Sequence, residues 1–173
     1  MPLTLHQVLI PSYLQIVESV TKLISKAEAF CADRELPHEE ILSARLFADM
    51  QPFAYQVKSV AVHSIDAIEG ARDGAFAPDM STPPDSFEGL RQRMIETTGA
   101  LERVDPEELE SFIGQDMVFR IGGRELAFQK DQFLINFSRP NFHFHATTAY
   151  DLMRMKGVPI GKVDFLGRPR PLR

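Results

Sequence analysis

One cysteine, Cys31, is all that this chain of 173 residues contains, and the scarcity excludes two classes of small protein. A lone thiol cannot build an intrachain disulfide framework or a multi-cysteine zinc centre, so a reducing interior is the simplest setting and Cys31 reads as packing. An excess of positive charge is missing too. Lys and Arg number 19 against 24 Asp and Glu, a formal net charge of -5. A sequence-independent grip on nucleic acid needs a clustered basic surface, which Arg168, Arg170 and Arg173 are too few to supply. No run of about 18 apolar residues exists, and the N-terminus lacks a basic segment followed by a long apolar stretch. The expectation is a soluble, cytoplasmic protein with no nucleic-acid or membrane partner.

Signatures of the common chemistries are absent as well. There is no Gly-x-Ser-x-Gly elbow, no phosphate loop, no His-Glu-x-x-His helix and no dinucleotide glycine fingerprint. Gly157-Val158-Pro159-Ile160-Gly161-Lys162 has no Ser or Thr after the lysine and no strand ahead of it, so it does not cradle phosphate; Lys162 is expected to anchor the tail. No helix is basic enough to read DNA.

What the chain does have is helical periodicity. Its length fits one domain, residues 1–173, with a core that needs no covalent staples. Over residues 6–32, Leu9, Tyr13, Val17, Val20, Ile24 and Ala27 recur at three- and four-residue steps. This predicts a long amphipathic helix, with Pro11 in the first turn or at a kink. Residues 38–71 predict a second helix, with Leu42, Leu46, Met50, Phe53, Val57 and Val60 on one stripe and a bend at Pro52. Asp85 and Glu88 have capping-box spacing ahead of a third helix that ends near Val104. Two short runs around Gly122-Gly123, within 117–128, predict a β-hairpin. Pro140 opens a fourth helix over 141–156, which Gly157 and Pro159 close. The tail beyond it has Ile160, Val163, Phe165 and Leu166 with which to dock. The fold class is therefore mainly α, an antiparallel four-helix bundle with a small β-hairpin inserted before the last main helix. Phe53, Val57, Leu90, Met94, Phe142, Ala149 and Leu152 are its expected interior.

The histidines carry the chemical signal. On a regular helix, advancing about 100° per residue, Asn141 and His145 share a face while His143 points nearly the other way, beside Thr147, Tyr150 and Arg154. His143 and His145 cannot then hold one metal together. Asp49, Gln56 and His63 recur every seven residues beside the apolar stripe, which places them at the border of the interior. If the second and fourth helices are neighbours, His63 and His145 converge on a small ligand or a metal, assisted by Asn141, Gln56 or Asp49. Each residue also has a purely structural reading. A histidine beside an apolar face can be a hydrogen-bonded boundary residue, Asn141 can cap its helix, and Asp49 can face solvent or pair with Arg45.

Three stretches resemble one family across nearly the whole chain. They are Ala44-Arg45-Leu46 with Asp49-Met50 and Gln56-Val57; Pro140-Asn141-Phe142-x-Phe144-His145-x-Thr147-Thr148-Ala149-Tyr150; and Gly157-Val158-Pro159-Ile160-Gly161-Lys162 with Asp164-Phe165-Leu166-Gly167. The chain resembles a domain-of-unknown-function family within the DinB/YfiT-like superfamily of four-helix metalloenzymes. That resemblance implies a four-helix bundle, often dimeric, with a site between helices. Metal-binding members of the superfamily take one histidine from the second helix and a His-x-x-x-His pair from the fourth. Here His63 matches the first and His145 the last, but Asn141 stands four residues before His145, and an amide is a poor ligand for zinc or nickel. Some superfamily members use a thiol cofactor, which no motif here identifies.

The expected function is a small-molecule enzyme, metal-dependent or degenerate, with its site between the second and fourth helices. His145 is the candidate catalytic residue, and His63 with His145 are the candidate ligands of a divalent metal such as zinc or nickel. Asp49, Gln56, Asn141 and Thr148 are the candidate substrate-binding residues. The competing class is a non-catalytic metabolite-binding or stress-associated module. A homodimer is expected.

Overall fold

In the computed structural model, which describes residues 2–167, helix α1 spans Leu5–Asp33. It starts at a reciprocal cap. The Thr4 hydroxyl accepts from the Gln7 backbone N–H, and the Gln7 side chain accepts from the Thr4 N–H. Leu9, Tyr13, Val17, Val20, Ile24, Ala27 and Cys31 are buried along one stripe, and burial contributes roughly 1.5–3 kcal/mol for each of the larger ones. Pro11 lies inside the helix and not in its first turn, on the exposed side, where its missing N–H leaves a carbonyl one turn back without a helical partner.

The second predicted helix is interrupted. Helix α2 is only Glu39–Leu42, the chain leaves helical geometry over 43–52, and α3 runs from Phe53 to Ala61. Pro52 starts a helix instead of bending one. Its own backbone is extended, at φ -72° and ψ 168°, and its ring disfavours helical geometry in the residue before it. The Phe53 N–H donates to the Ala44 carbonyl at 2.9 Å, which folds the irregular segment back on itself. Leu46 is accordingly 37% exposed and off the buried stripe, whereas Phe53, Val57 and Val60 stay inside.

Helix α3 passes through a π-helical stretch, Val62–Asp66, into α4, Ala67–Asp73. After strand β1 (Ala75–Phe76), α5 covers Phe87–Glu102. Its cap is Ser86 and not Asp85: the Ser86 hydroxyl accepts from the Gly89 N–H. A short helix absent from the sequence reading, α6 (Pro106–Ser111), is capped by Asp105. Strands β2 (Asp116–Ile121) and β3 (Arg124–Gln129) form the predicted hairpin, with Ile121 opposite Arg124. Both turn glycines have positive φ, 54° at Gly122 and 76° at Gly123, as a tight two-residue turn requires. Strand β1 adds in parallel beside β2, so the sheet has three strands in the order β1-β2-β3.

Beyond α7 (Lys130–Gln132), a second π-helical stretch, Phe133–Ser138, leads directly into α8, Arg139–Met155. Helical conformation therefore begins well before Pro140, which sits at the π-to-α junction. Helix α1 packs along α5, α5 against α3, α3 along α8, and α8 back against α1. Every residue expected inside this ring is buried, including Leu90, Met94, Phe142, Ala149 and Leu152. On β2, Phe119 packs against Phe76, Phe133 and Phe137, which ties the sheet to the second π stretch.

The tail docks through α9, Lys162–Leu166. Lys26 reaches Asp164 at 2.6 Å, and the Gln15 amide donates to the Leu166 carbonyl at 2.7 Å. Ile160 is buried as expected, but Val163 is 79% exposed, and the anchoring charge is Asp164 and not Lys162. Among the described residues, no helix is long and apolar enough to cross a membrane.

Candidate functional site

The two π stretches meet at one pair of residues. A π turn closes on the fifth residue and so resets the phase of the helix that follows it. His63 lies in the first stretch and Ser138 ends the second. The Ser138 hydroxyl donates its proton to the His63 carbonyl at 3.0 Å, and its oxygen lies 3.4 Å from His63 Nδ1. With that proton spent, Oγ faces Nδ1 as an acceptor, in a long contact that favours the proton on Nδ1.

His145 is held more firmly, through a relay that begins on the irregular segment. The Gln56 Nε2 donates to the Gln51 carbonyl at 2.9 Å, which fixes the orientation of the amide and presents Oε1 to His145. His145 Nδ1 lies 2.7 Å from that oxygen and must carry the proton it donates. In the neutral ring the lone pair then resides on Nε2. Gln56 is buried, so the relay is shielded from competing water.

The rings of His63 and His145 stack, with centroids 5.4 Å apart and planes 13° from parallel. Among the described residues no group bonds either Nε2, and Tyr13 Oη is the one fully buried side-chain polar atom lacking a partner. Both Nε2 atoms therefore reach solvent, although His63 is only 6% exposed. Aromatic rings enclose the pair. Tyr55 stands edge-on to His145 at 6.2 Å and Phe144 at 5.4 Å, while Phe137 and Phe76 flank His63 at 6.4 and 5.9 Å. Burial pushes His63 down to about 4, with a further contribution from neighbouring His145, and burial pushes His145 down to about 4 as well. At neutral pH both rings are uncharged.

A strap crosses beside this pair. Lys58, 4% exposed, donates to the Ser81 carbonyl at 2.7 Å and to its hydroxyl at 3.0 Å, and pairs with Asp79 at 2.8 Å. The Tyr55 hydroxyl meets Met80 Sδ at 3.3 Å. Burial raises the Asp79 carboxyl, but hydrogen bonds from Lys58 and Ser81 outweigh it and leave the group at about 2.

The remaining predicted residues fall in different places. Asn141 does not cap α8; its Nδ2 donates to the Phe137 carbonyl, one turn earlier, at 2.8 Å. Thr148 is buried, and its hydroxyl donates to the Phe144 carbonyl. Asp49 is exposed on the irregular segment and does not border the interior, because the seven-residue spacing that linked it to Gln56 assumed a continuous helix. His143 lies apart from the His63–His145 pair and lines a cleft of about 540 Å³ against α1, with Gln7, Ser12 and Gln15. Tyr55, Ser138 and the Lys58 strap were not foreseen. Tyr55 adjoins Gln56 and could have been found from it, but no pattern announces the π stretch that brings Ser138 to His63.

The donor set does not fit a resident zinc or nickel ion. Two imidazoles face the site, the side-chain amide of Asn141 is engaged with a carbonyl, and among the described residues no three His, Cys, Asp or Glu side chains gather to hold a metal.

Comparison with known proteins agrees with this architecture. A solved structure of a DinB family member protein from Shewanella denitrificans superposes with a TM-score of 0.79 at 23% identity, covering 98% of this chain and 95% of that one. No curated protein matches the chain. The family described as "Domain of unknown function (DUF1993)" matches residues 5–166, and the chain belongs to that family, with a DinB-like fold.

Proposed function

We propose that this protein is a DinB-like antiparallel four-helix bundle that binds a small molecule between α3, with its π stretch, and α8. The ring of contacts from α1 through α5, α3 and α8 supports the bundle. One observation carries the site: the Gln51–Gln56–His145 relay fixes the His145 ring with its Nδ1 proton spent on Gln56, leaving Nε2 without a bonding partner among the described residues, on a ring stacked against His63. His145 is the residue assigned to ligand recognition and to any chemistry, supported by His63, Gln56 and Asn141. A ring held well below its ordinary range accepts a hydrogen bond more readily than a proton, so recognition precedes catalysis in this reading. The protein is taken to act in the cytoplasm, where a lone cysteine stays reduced. It is also taken to act as a homodimer, which sedimentation near twice 19.6 kDa would support.

The test is a thermal-shift screen of metabolites and divalent metals on the wild type, His145→Ala, His63→Ala and His143→Ala, each checked for folding by circular dichroism. Ligand shifts should disappear in the first two variants and persist in the third. Unchanged binding by folded His145→Ala would overturn the site, and loss in His143→Ala alone would move it to the cleft facing α1. Turnover of a bound metabolite would mark an enzyme; binding without turnover would mark a metabolite-binding module.

A further inference from the structure

The hydrogen-bonding groups around the His63–His145 pair are unevenly spent. The Ser138 hydroxyl proton goes to the His63 carbonyl, and the His145 Nδ1 proton goes to Gln56. One amide hydrogen of Gln56 goes to the Gln51 carbonyl and one of Asn141 to the Phe137 carbonyl. The Lys58 ammonium, the nearest cation on α3, is consumed by Asp79 and Ser81, and the Tyr55 hydroxyl is turned to Met80. What the protein leaves open is two imidazole Nε2 acceptors on stacked rings and the Asn141 side-chain carbonyl on the same helix face as His145, together with the second amide hydrogens of Gln56 and Asn141, so acceptors outnumber donors by three to two. Among the described residues, Lys58 is already paired and so offers an anion no free charge, and the two imidazoles are the good metal ligands, with no third His, Cys, Asp or Glu gathered beside them. A molecule that brings its own N–H donors satisfies the site.

The walls describe the rest of that molecule. Tyr55 and Phe144 stand edge-on to His145 and Phe137 stands edge-on to His63. Phe144 is 54% exposed, a large apolar ring in contact with the His145 ring. Aromatic faces also favour a planar, electron-poor nitrogen group.

Resting on the proposed small-molecule site, we propose that its ligand is a planar organic N–H donor of the amidine or guanidine class on an aromatic or apolar body, and not a resident divalent metal.

Isothermal titration of the full-length protein with benzamidine, benzoate and zinc chloride tests this. The first two share a ring and differ in whether they bring donors or a negative charge. Benzamidine should bind the wild type and weaken at least about tenfold in His145→Ala and in Gln56→Leu, with benzoate and zinc silent. If either variant fails to fold, the ¹⁵N shift of His145 Nε2 in the wild type should move on addition of benzamidine. Histidine-dependent binding of benzoate or of one zinc ion per chain would overturn the donor assignment while leaving the site in place. No binding of benzamidine would overturn the inference alone, because the site itself is judged by the metabolite screen.

Discussion

His145 donates its Nδ1 proton to Gln56 Oε1 at 2.7 Å, joining two helices 89 residues apart in sequence through one hydrogen bond. Its geometry is set on the far side, where the Gln56 amide is pinned to the Gln51 carbonyl. Gln56→Glu keeps the shape and replaces the amide with a carboxylate. An adjacent negative charge favours the protonated imidazole, so the His145 pKa should rise by at least about one unit from its value near 4. Titration of the ring by NMR checks this, and an unchanged midpoint would mean that the contact does not persist in solution.

Acid stability follows from the same burial. Both rings have folded-state values near 4 and an ordinary value of 6.5 when exposed by unfolding. The unfolded chain therefore binds more protons between those limits. Stability should be complete above pH 6.5, fall as pH drops toward 4 and level off below it, losing at pH 5 no more than about 2 kcal/mol per ring. Urea denaturation of the wild type and of His63→Gln at pH 7.5 and pH 5 measures it; the variant should lose less on acidification.

The Lys58 strap gives a comparison between two substitutions. Lys58→Met removes a buried charge along with its bonds, whereas Asp79→Asn leaves the ammonium, 4% exposed, with the Ser81 oxygens alone. Stranding a buried charge costs more than replacing it with an apolar side chain of similar length. Asp79→Asn should be the more destabilising of the two in chemical denaturation, by about 1 kcal/mol, and the reverse order would show that the strap is loosely held.

Two glycines in helices should respond oppositely to alanine. At Gly70 a Cβ would lie 2.9 Å from Phe76 Cβ and 3.0 Å from the Ala75 carbonyl, so β1 and the ring beside His63 would have to move. Gly70→Ala should cost about 1–3 kcal/mol. At Gly99, in α5, the nearest atom is the flexible end of Arg103 at 3.4 Å, and alanine there should be neutral or stabilising by up to about 1 kcal/mol. Melting temperatures of the two variants decide it.

Much of this organisation is legible in the sequence where helices are regular. The stripe from Leu9 to Ala27 marks α1, and the Gly-Gly pair marks the hairpin, because each rests on local geometry alone. The helical phase also placed His145 and His143 on opposite faces of α8 and brought His63 toward His145. Reading failed where local geometry changes without a composition signal. The apolar stripe carries across Pro52 and so predicts a bend there, yet the Ala44–Phe53 hydrogen bond closes an irregular segment and leaves Asp49 exposed on it. The π stretches meet at His63 and Ser138, residues far apart in sequence, and β1 forms by pairing with a strand more than 40 residues away; neither partner can be read from the local sequence.

The most direct test of the site is the tautomeric state of its two histidines. Long-range ¹H–¹⁵N correlation spectra of the labelled protein at pH 7 should show His63 and His145 both neutral, protonated on Nδ1 and bare on Nε2, and unchanged down to about pH 5. A proton on Nε2 of His145, or titration of that ring near 6.5, would contradict the Gln56 relay and with it the open acceptor pair on which the functional reading stands.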